Sequence, residues 1–205
     1  MSEGRFAEIA GALLLGGASE RMGSDKAALE LAGEPAARRT ARLLATLFEE
    51  VLLVGGKPPD GTPGRRVADP AGPRCALRGL VGALEAARAE RVLVVATDLP
   101  GLTADLLLAL VALPEADVVV PRTPGDGLEP LCALYRRESV LPLARARLDA
   151  GELALHGLIG ALAATTTLGG RTLAAIDPDG AALANANTPE DWARARARLE
   201  GAARR

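Results

Sequence analysis

The stretch Leu13-Leu-Leu-Gly16-Gly17-Ala-Ser-Glu-Arg21-Met22-Gly23-Ser-Asp25-Lys26 decides how the rest of the chain is read. It closes an apolar run over residues 9–15 that is bounded by paired glycines, the pattern of a fully buried strand. The strand empties into a loop of glycines, small residues and two cations. Glycines allow a backbone to take positive φ and to approach a ligand closely, so that successive N–H groups converge on an anion. Arg21 and Lys26 add charge suited to phosphate oxygens. The stretch therefore reads as a phosphate cradle at the carboxyl end of a first parallel strand, where open α/β sheets bind ligands. It is not a P-loop, since Gly23 is followed by Ser24-Asp25-Lys26 and not directly by Lys, nor a dinucleotide fingerprint, since Gly16 and Gly17 are adjacent. On glycine content alone, a strand-to-helix turn with two solvated charges explains it equally well.

The full string is more specific. Gly-Gly-x3-Arg-Met-Gly-x-Asp-Lys resembles the signature of nucleotidyltransferases that activate sugars and cofactors with a nucleoside triphosphate. Within them it is most similar to the molybdenum cofactor guanylyltransferases. The resemblance implies that Leu14, Leu15, Gly16, Gly17 and Lys26 wrap a nucleotide, with Arg21 and Lys26 on its triphosphate. Leu15 stands where the family usually has Ala.

Composition sets bounds on this reading. The chain has 205 residues, 49% of them hydrophobic and only 2% aromatic. That suffices for a substantial core but leaves few rings on which a base could stack. A net charge of −2 offers no basic field for nucleic acid. The Arg194-Ala-Arg-Ala-Arg198 piece reads as a solvated helix face. Only Lys26 and Lys57 are lysines among 24 basic residues, which singles out Lys26 as a place for a compact ammonium. Cys75 and Cys132 have no metal spacing and read as reduced thiols of a cytoplasmic protein. Neither a signal peptide nor a membrane-length apolar segment is expected.

Strands are expected over 9–15, 51–54, 66–68, 91–97, 117–120, 131–135 and 172–176. The 118–135 region should form a broad antiparallel hairpin. Helices are expected from Pro35 through Phe48, over 77–88, after Thr103, over 141–150 and 155–163, and from Thr188-Pro189-Glu190-Asp191 onward, where an N-cap, a proline and two acids follow one another. Alternation of strands and helices predicts one domain over 1–205: a three-layer α/β/α arrangement around a mainly parallel sheet. The resemblance adds a Rossmann-like nucleotidyltransferase fold.

Asp98 follows Val92-Leu-Val-Val-Ala96, a strand apolar enough to be central, so its carboxylate faces the crevice beside the first loop. A hard oxygen ligand there suits Mg²⁺; a turn or capping Asp is the alternative. The Thr97-Asp98-Leu-Pro100 string matches the family's metal-binding position, which implies Mg²⁺ and a nucleotide contact at Asp98. Asp69-Pro70 reads as an ordinary turn, but the resemblance implies a nucleotide contact at Asp69. The following loop departs from the family's Gly-Pro-Leu-x-Gly, with Cys75-Ala-Leu-Arg-Gly79 instead. Gly55 likewise stands where some members have a nucleotide-contacting Asn. By itself Glu129-Pro130 reads equally well as a rigid strand entry, but Gly127-Leu-Glu129-Pro130-Leu-Cys-Ala-Leu-Tyr135 resembles a family segment lining the acceptor side. Asn185-Ala-Asn187-Thr-Pro-Glu190 is similar to a family string near metal and acceptor, implying acceptor contacts at Glu129, Asn185 and Asn187, with Asn187 as second metal ligand. His156, the only histidine, reads as a packing or capping residue.

The resemblance implies catalysis by Arg21, Lys26 and Asp98. The reaction implied is transfer of GMP from GTP to molybdenum-loaded molybdopterin, with pyrophosphate released and transient contact with molybdoenzymes or their chaperones. Neither nucleic acid nor membrane is an expected partner. A CTP-dependent enzyme and a non-catalytic nucleotide-binding module are the alternatives.

Overall fold

The computed structural model describes residues 4–16, 29–123, 125 and 127–203. The cradle segment, residues 17–28, lies outside them, and with it Gly17, Arg21 and Lys26.

Strand β1 (Phe6–Leu14) lies third, beside the central β6, in a seven-stranded sheet ordered β5-β4-β1-β6-β8-β7-β9. It is parallel to β4 (Phe48–Val54) on one side and to β6 (Arg91–Ala96) on the other. From Ile9 onward β1 is buried on both faces, which is why its sequence is a continuous apolar run and not an alternation. A β2–β3 hairpin (Glu30–Leu31 and Glu34–Pro35) precedes helix α1 (Ala36–Leu47). Ala37, Ala41 and Leu44 of α1 face the sheet. Phe48, expected as the last inward residue of that helix, instead begins β4 with extended backbone. It is fully buried all the same and tilts against Phe6 at a ring distance of 6.1 Å.

Strand β5 (Arg65–Val67) extends the sheet beyond β4 in parallel. Helix α2 (Ala76–Ala86) leads back to β6, on the opposite side of β1. Helix α3 (Ala104–Ala112) is capped by Thr103, whose Oγ1 accepts from the Leu106 amide, and Asp105 lies in its first turn. Strands β7 (Val118–Pro121) and β8 (Cys132–Arg136) form the expected antiparallel pair. Strand β8 is also antiparallel to β6.

Helix α4 (Arg137–Asp149) leaves β8 without a loop. It starts four residues before the expected 141 and carries Pro142 inside it. Val140, Ala144 and Leu148 form its buried stripe, the i, i+4, i+8 spacing of one helix face. Helix α5 (Leu155–Ala161) follows.

The expected strand over 172–176 is a helix, α6 (Gly170–Ile176), and the seventh strand is β9 (Thr165–Leu168), parallel to β7. The reason lies in the side chains. Thr165-Thr-Thr167 is a β-branched run suited to a pleated edge, whereas Leu173-Ala-Ala175 are good helix formers. Leu173 and Ile176 also pack on the α3 side of the core, a spacing that only a helix puts on one face.

Helices α1, α3 and α6 cover one face of the sheet, packing on Ile9, Leu13, Leu53, Leu93 and Val95. Helices α2, α4 and α5 cover the other, packing on Ala10, Ala12, Leu52, Val92 and Val94. The residues of β1 alternate between the two cores, as the strand period of two requires. This is the three-layer α/β/α arrangement. Helix α7 (Pro189–Ala203) stands apart, with Trp192 buried against Leu31 and Ala36 of the β2–β3 hairpin region. Among the described residues no helix is long and apolar enough to cross a membrane.

Candidate active site

The chain runs from β1 to β4 on one side and returns through β6 on the other, so β1 marks the point where strand order reverses. In open α/β sheets that point is where a crevice forms at the carboxyl ends. Leu14, Leu15 and Gly16 lie there, and the Leu15 amide donates to the Val54 carbonyl at 2.9 Å. Because β8 runs antiparallel, its amino end also reaches this edge. The edge therefore presents, in order, Asp69 after β5, Gly55 after β4, Gly16 after β1, Asp98 after β6 and Glu129 before β8. At about 4.8 Å per strand, this row spans roughly 19 Å.

One cluster lies on the β4–β5 side. Gly55 has φ of +70° and its amide donates to the Val67 carbonyl at 2.9 Å. A Cβ at position 55 would stand 2.9 Å from both oxygens of Asp69. A side chain there would have to displace the Asp69 carboxylate. Any contact from Gly55 to a ligand is a backbone contact. Arg78 donates to Asp69 Oδ2 at 2.8 Å and to the Gly72 carbonyl at 2.8 Å. A cavity of about 450 Å³ is lined by Gly55, Gly56, Arg66, Val67, Ala68 and Asp69.

The second cluster lies on the β6–β8 side. Asp98 is half-buried two residues beyond β6, and its carbonyl accepts from the Ala186 amide at 2.8 Å. That bond sets Asn185 and Asn187 on either side of the residue touching Asp98. The approach is close: a Cβ at Gly101 would lie 2.2 Å from the Ala181 carbonyl oxygen, so only glycine lets the two loops meet. Asp177 organises the second loop by accepting from the Ala182 amide at 3.1 Å.

Glu129 is only 8% exposed. Its Oε2 accepts from Asn185 Nδ2 at 2.8 Å and its Oε1 from the Leu131 amide at 3.2 Å. The Tyr135 hydroxyl donates to the Pro130 carbonyl at 2.8 Å and fixes the same turn. Burial, reinforced by the Glu129 charge, pushes the Tyr135 hydroxyl and the Cys132 thiol far up. Cys132 is therefore an inert core thiol.

The Asn187 loop ends in a reciprocal cap. Asp191 Oδ2 accepts from the Asn187 and Thr188 amides at 2.9 Å each, and Thr188 Oγ1 accepts from the Asp191 amide at 3.2 Å. The Asn187 and Thr188 amides hold the Asp191 carboxyl below the usual carboxylate range.

Among the described residues no three His, Cys, Asp or Glu side chains converge on a metal position. A Mg²⁺ ion held largely by substrate phosphates needs only one or two protein carboxylates. The half-buried Asp98 carboxylate, with Asn187 next in the chain to the Ala186 amide that bonds the Asp98 carbonyl, offers oxygen donors of that kind. His156, exposed on α5, bonds through Nε2 to the Leu128 carbonyl at 3.2 Å.

Glu129 and Asn185 meet directly, and Asn187 comes to the Asp98 side. Asp69 and Gly55 form the other cluster. Arg78 was not among the expected site residues, although a cation in the departing Cys75–Gly79 segment, close to Asp69, was a visible signal. Gly101 and Asp177 carried none.

The MobA-like NTP transferase domain matches residues 11–166. Named relatives agree with that match. One from Chloroflexus aggregans, named "Probable molybdenum cofactor guanylyltransferase", is 36% identical over 193 residues, covering 89% of this chain and 91% of its own length. One from Synechococcus elongatus with the same name is 33% identical over 196 residues, covering 90% and 96%. Among solved structures, molybdopterin-guanine dinucleotide biosynthesis protein A from Archaeoglobus fulgidus superposes with a TM-score of 0.76 at 19% identity, over 94% of this chain and 99% of its own. The 2-C-methyl-D-erythritol 4-phosphate cytidylyltransferase of Thermus thermophilus superposes at 0.68 and 18% identity, over 92% and 98%. These structural likenesses establish the Rossmann-like nucleotidyltransferase fold. The chain belongs to the MobA-like NTP transferases, a nucleotidyltransferase family of molybdenum cofactor biosynthesis.

Proposed function

We propose that this protein transfers GMP from GTP to the terminal phosphate of molybdenum-loaded molybdopterin. A bond forms between an acceptor phosphate oxygen and the α-phosphorus. The α–β phosphoanhydride bond breaks, and pyrophosphate leaves. The observation that carries the reading is the division of the sheet edge into two clusters flanking the end of β1, at the strand-order reversal. The Asp69–Gly55 cavity takes the nucleoside, and Asp98 with the Glu129–Asn185 pair takes the reacting phosphates and the acceptor. The relatives' names, which pair guanylyl transfer with the molybdenum cofactor, support this choice of substrates.

The acceptor phosphate is already an anion at neutral pH, so no group need remove a proton from it. His156 is exposed and engaged with a loop carbonyl, consistent with that. What the chain must do is align the reactants and offset charge, the main demands of phosphoryl transfer. Leu15 and Gly16 offer backbone to the phosphates at the end of β1. Arg21 and Lys26, by the family's pattern, neutralise the triphosphate. Glu129 orients the Asn185 amide before substrate arrives, and the Ala186–Asp98 bond fixes the backbone that carries Asn187. Asp98 and Asn187 would hold Mg²⁺, which when bound offsets charge on the phosphates.

A CTP-dependent reaction is the second reading, favoured by the Cys75–Gly79 segment at the start of α2, which replaces Gly-Pro-Leu-x-Gly beside the nucleoside cavity. Thermal shift and pyrophosphate release with GTP, CTP, ATP and UTP, each with Mg²⁺ and molybdopterin, separate the readings. GTP at 100 times its Kd should add about 2.7 kcal/mol of stability and be the nucleotide consumed. Preferential stabilisation and turnover with CTP would move the assignment.

A further inference from the structure

We propose that Arg78 is a positioning residue for the nucleotide, acting through Asp69. The proposal rests on reading the Asp69–Gly55 cavity as the nucleoside pocket. Arg78 lies in the first turn of α2, and its side chain is 17% exposed. Its Nη2 donates to Asp69 Oδ2 and its Nη1 to the Gly72 carbonyl, both at 2.8 Å. One guanidinium thus ties the end of β5 to the loop that follows it, using the fixed fork that only Arg has. Such a pair differs from an exposed ion pair, whose contribution solvent reduces to little. Both partners here are mostly buried, with Asp69 22% exposed, and the hydrogen bond is charge-assisted.

The arrangement leaves Asp69 with one oxygen committed and one available. Among the described residues, Oδ1 accepts no hydrogen bond, and Asp69 is part of the cavity wall. Held by Arg78, this carboxylate presents an acceptor to N–H or O–H donors of a nucleoside. Arg78 also offsets its charge, which otherwise opposes a polyanionic ligand at the same sheet edge. Position 55 is glycine and supplies no side chain for this purpose, and the Asp69 carboxylate occupies the space next to its α-carbon. Arg78 therefore sets the geometry of the one side-chain acceptor among the described residues lining that cavity.

The alternative is that Arg78 only fastens α2 to the 70–75 loop. In that case its loss lowers Tm but leaves nucleotide affinity, measured well below Tm, independent of Asp69. The two cases separate in a double-mutant cycle. Calorimetric binding of GTP with Mg²⁺ is measured for the parent, Arg78→Ala, Asp69→Ala and the double variant, with Tm recorded for each. Arg78→Ala should weaken GTP binding by about tenfold to a hundredfold, the scale of a charge-assisted bond lost with its partner left behind. The double variant should bind no worse than Asp69→Ala alone. Arg78→Lys keeps the charge but not the fork, and should recover only part of the affinity. It also serves as the test should Arg78→Ala not fold.

Affinity within twofold of the parent for Arg78→Ala or, where that variant does not fold, for Arg78→Lys overturns the proposal. So does a double variant whose loss is the product of the two single losses. A wrong base assignment shows separately, as weak GTP binding by the parent. The four-way comparison then runs with the nucleotide the parent binds most tightly.

Discussion

Asn185 Nδ2 donates to Glu129 Oε2 at 2.8 Å across 56 residues of sequence. The bond joins the loop before α7 to the turn before β8, beside Asp98. Glu129 is nearly buried and its hydrogen-bond donors in the described structure are neutral, so each donor matters to a charge that water scarcely reaches. Asn185→Ala should lower stability by about 1.5–3 kcal/mol, the usual range for a hydrogen bond to a charged group. It should raise KM for the molybdopterin acceptor while GTP binding stays within about threefold. Thermal denaturation and steady-state kinetics with each substrate varied check this. A change in GTP affinity alone would place Asn185 on the wrong substrate.

Gly101→Ala tests the contact that brings the two loops together. The added methyl would sit 2.2 Å from the Ala181 carbonyl oxygen, an atom of backbone that cannot rotate away. A loss of about 3 kcal/mol is expected, at the upper end of overpacking costs. Turnover should fall further than the folded fraction does, because the Asp98–Ala186 bond must shift as well. A variant with parental Tm and parental turnover would show that the loops do not need this approach.

The acid limb of stability should depend on Glu50. Burial alone would raise its carboxyl, but hydrogen bonds from the Arg88 amide and the Arg65 side chain, with the Arg65 charge, bring it below the ordinary value of 4.5. A carboxyl lowered in the folded protein contributes stability above its unfolded pKa and loses it as pH falls through the folded one. Stability should therefore be level above about pH 5 and decline below 4.5, and Glu50→Gln should flatten that decline. Urea denaturation between pH 3 and 7 measures it. A parallel slope in the variant would remove Glu50 from the account.

Much of this architecture was legible in the chain because its elements are locally decided. Strand β1 is buried on both faces, so its apolar run identified it. The Thr188–Asp191 cap lies within four residues of sequence and needs no tertiary information. The β9–α6 reversal was not legible, since Thr172 and Ile176 favour a strand as singles while Leu173-Ala-Ala175 and the packing of Leu173 beside Ile176 favour a helix. Tertiary packing decided it. Phe48 is buried either as the last inward residue of a helix or as the first of a strand, so its apolar character could not choose. The site divided in the same way. Asp98 and Asp69 could be found as carboxylates at strand ends. The Arg78–Asp69 and Glu129–Asn185 pairs needed the fold, because nothing in local spacing says which oxygen meets which donor. Arg21 and Lys26 rest on the sequence of the cradle alone.

Asp98 and Lys26 should separate in a metal titration. Asp98→Ala should abolish most turnover while metal-free GTP binding survives or improves, since a carboxylate near phosphates repels them until a cation intervenes. Lys26→Ala should weaken GTP binding with and without Mg²⁺. Binding titrations with EDTA and with Mg²⁺ on both variants decide the matter. Parental Mg²⁺ dependence in Asp98→Ala would rule Asp98 out as a ligand.

The most direct test of the central claim is a competition. The protein is incubated with equal concentrations of GTP, CTP, ATP and UTP, with Mg²⁺ and molybdenum-loaded molybdopterin, and the dinucleotide formed is identified by mass spectrometry. The account predicts the guanine dinucleotide with one pyrophosphate released per product. A cytosine dinucleotide, or no dinucleotide while GTP still binds, would contradict it.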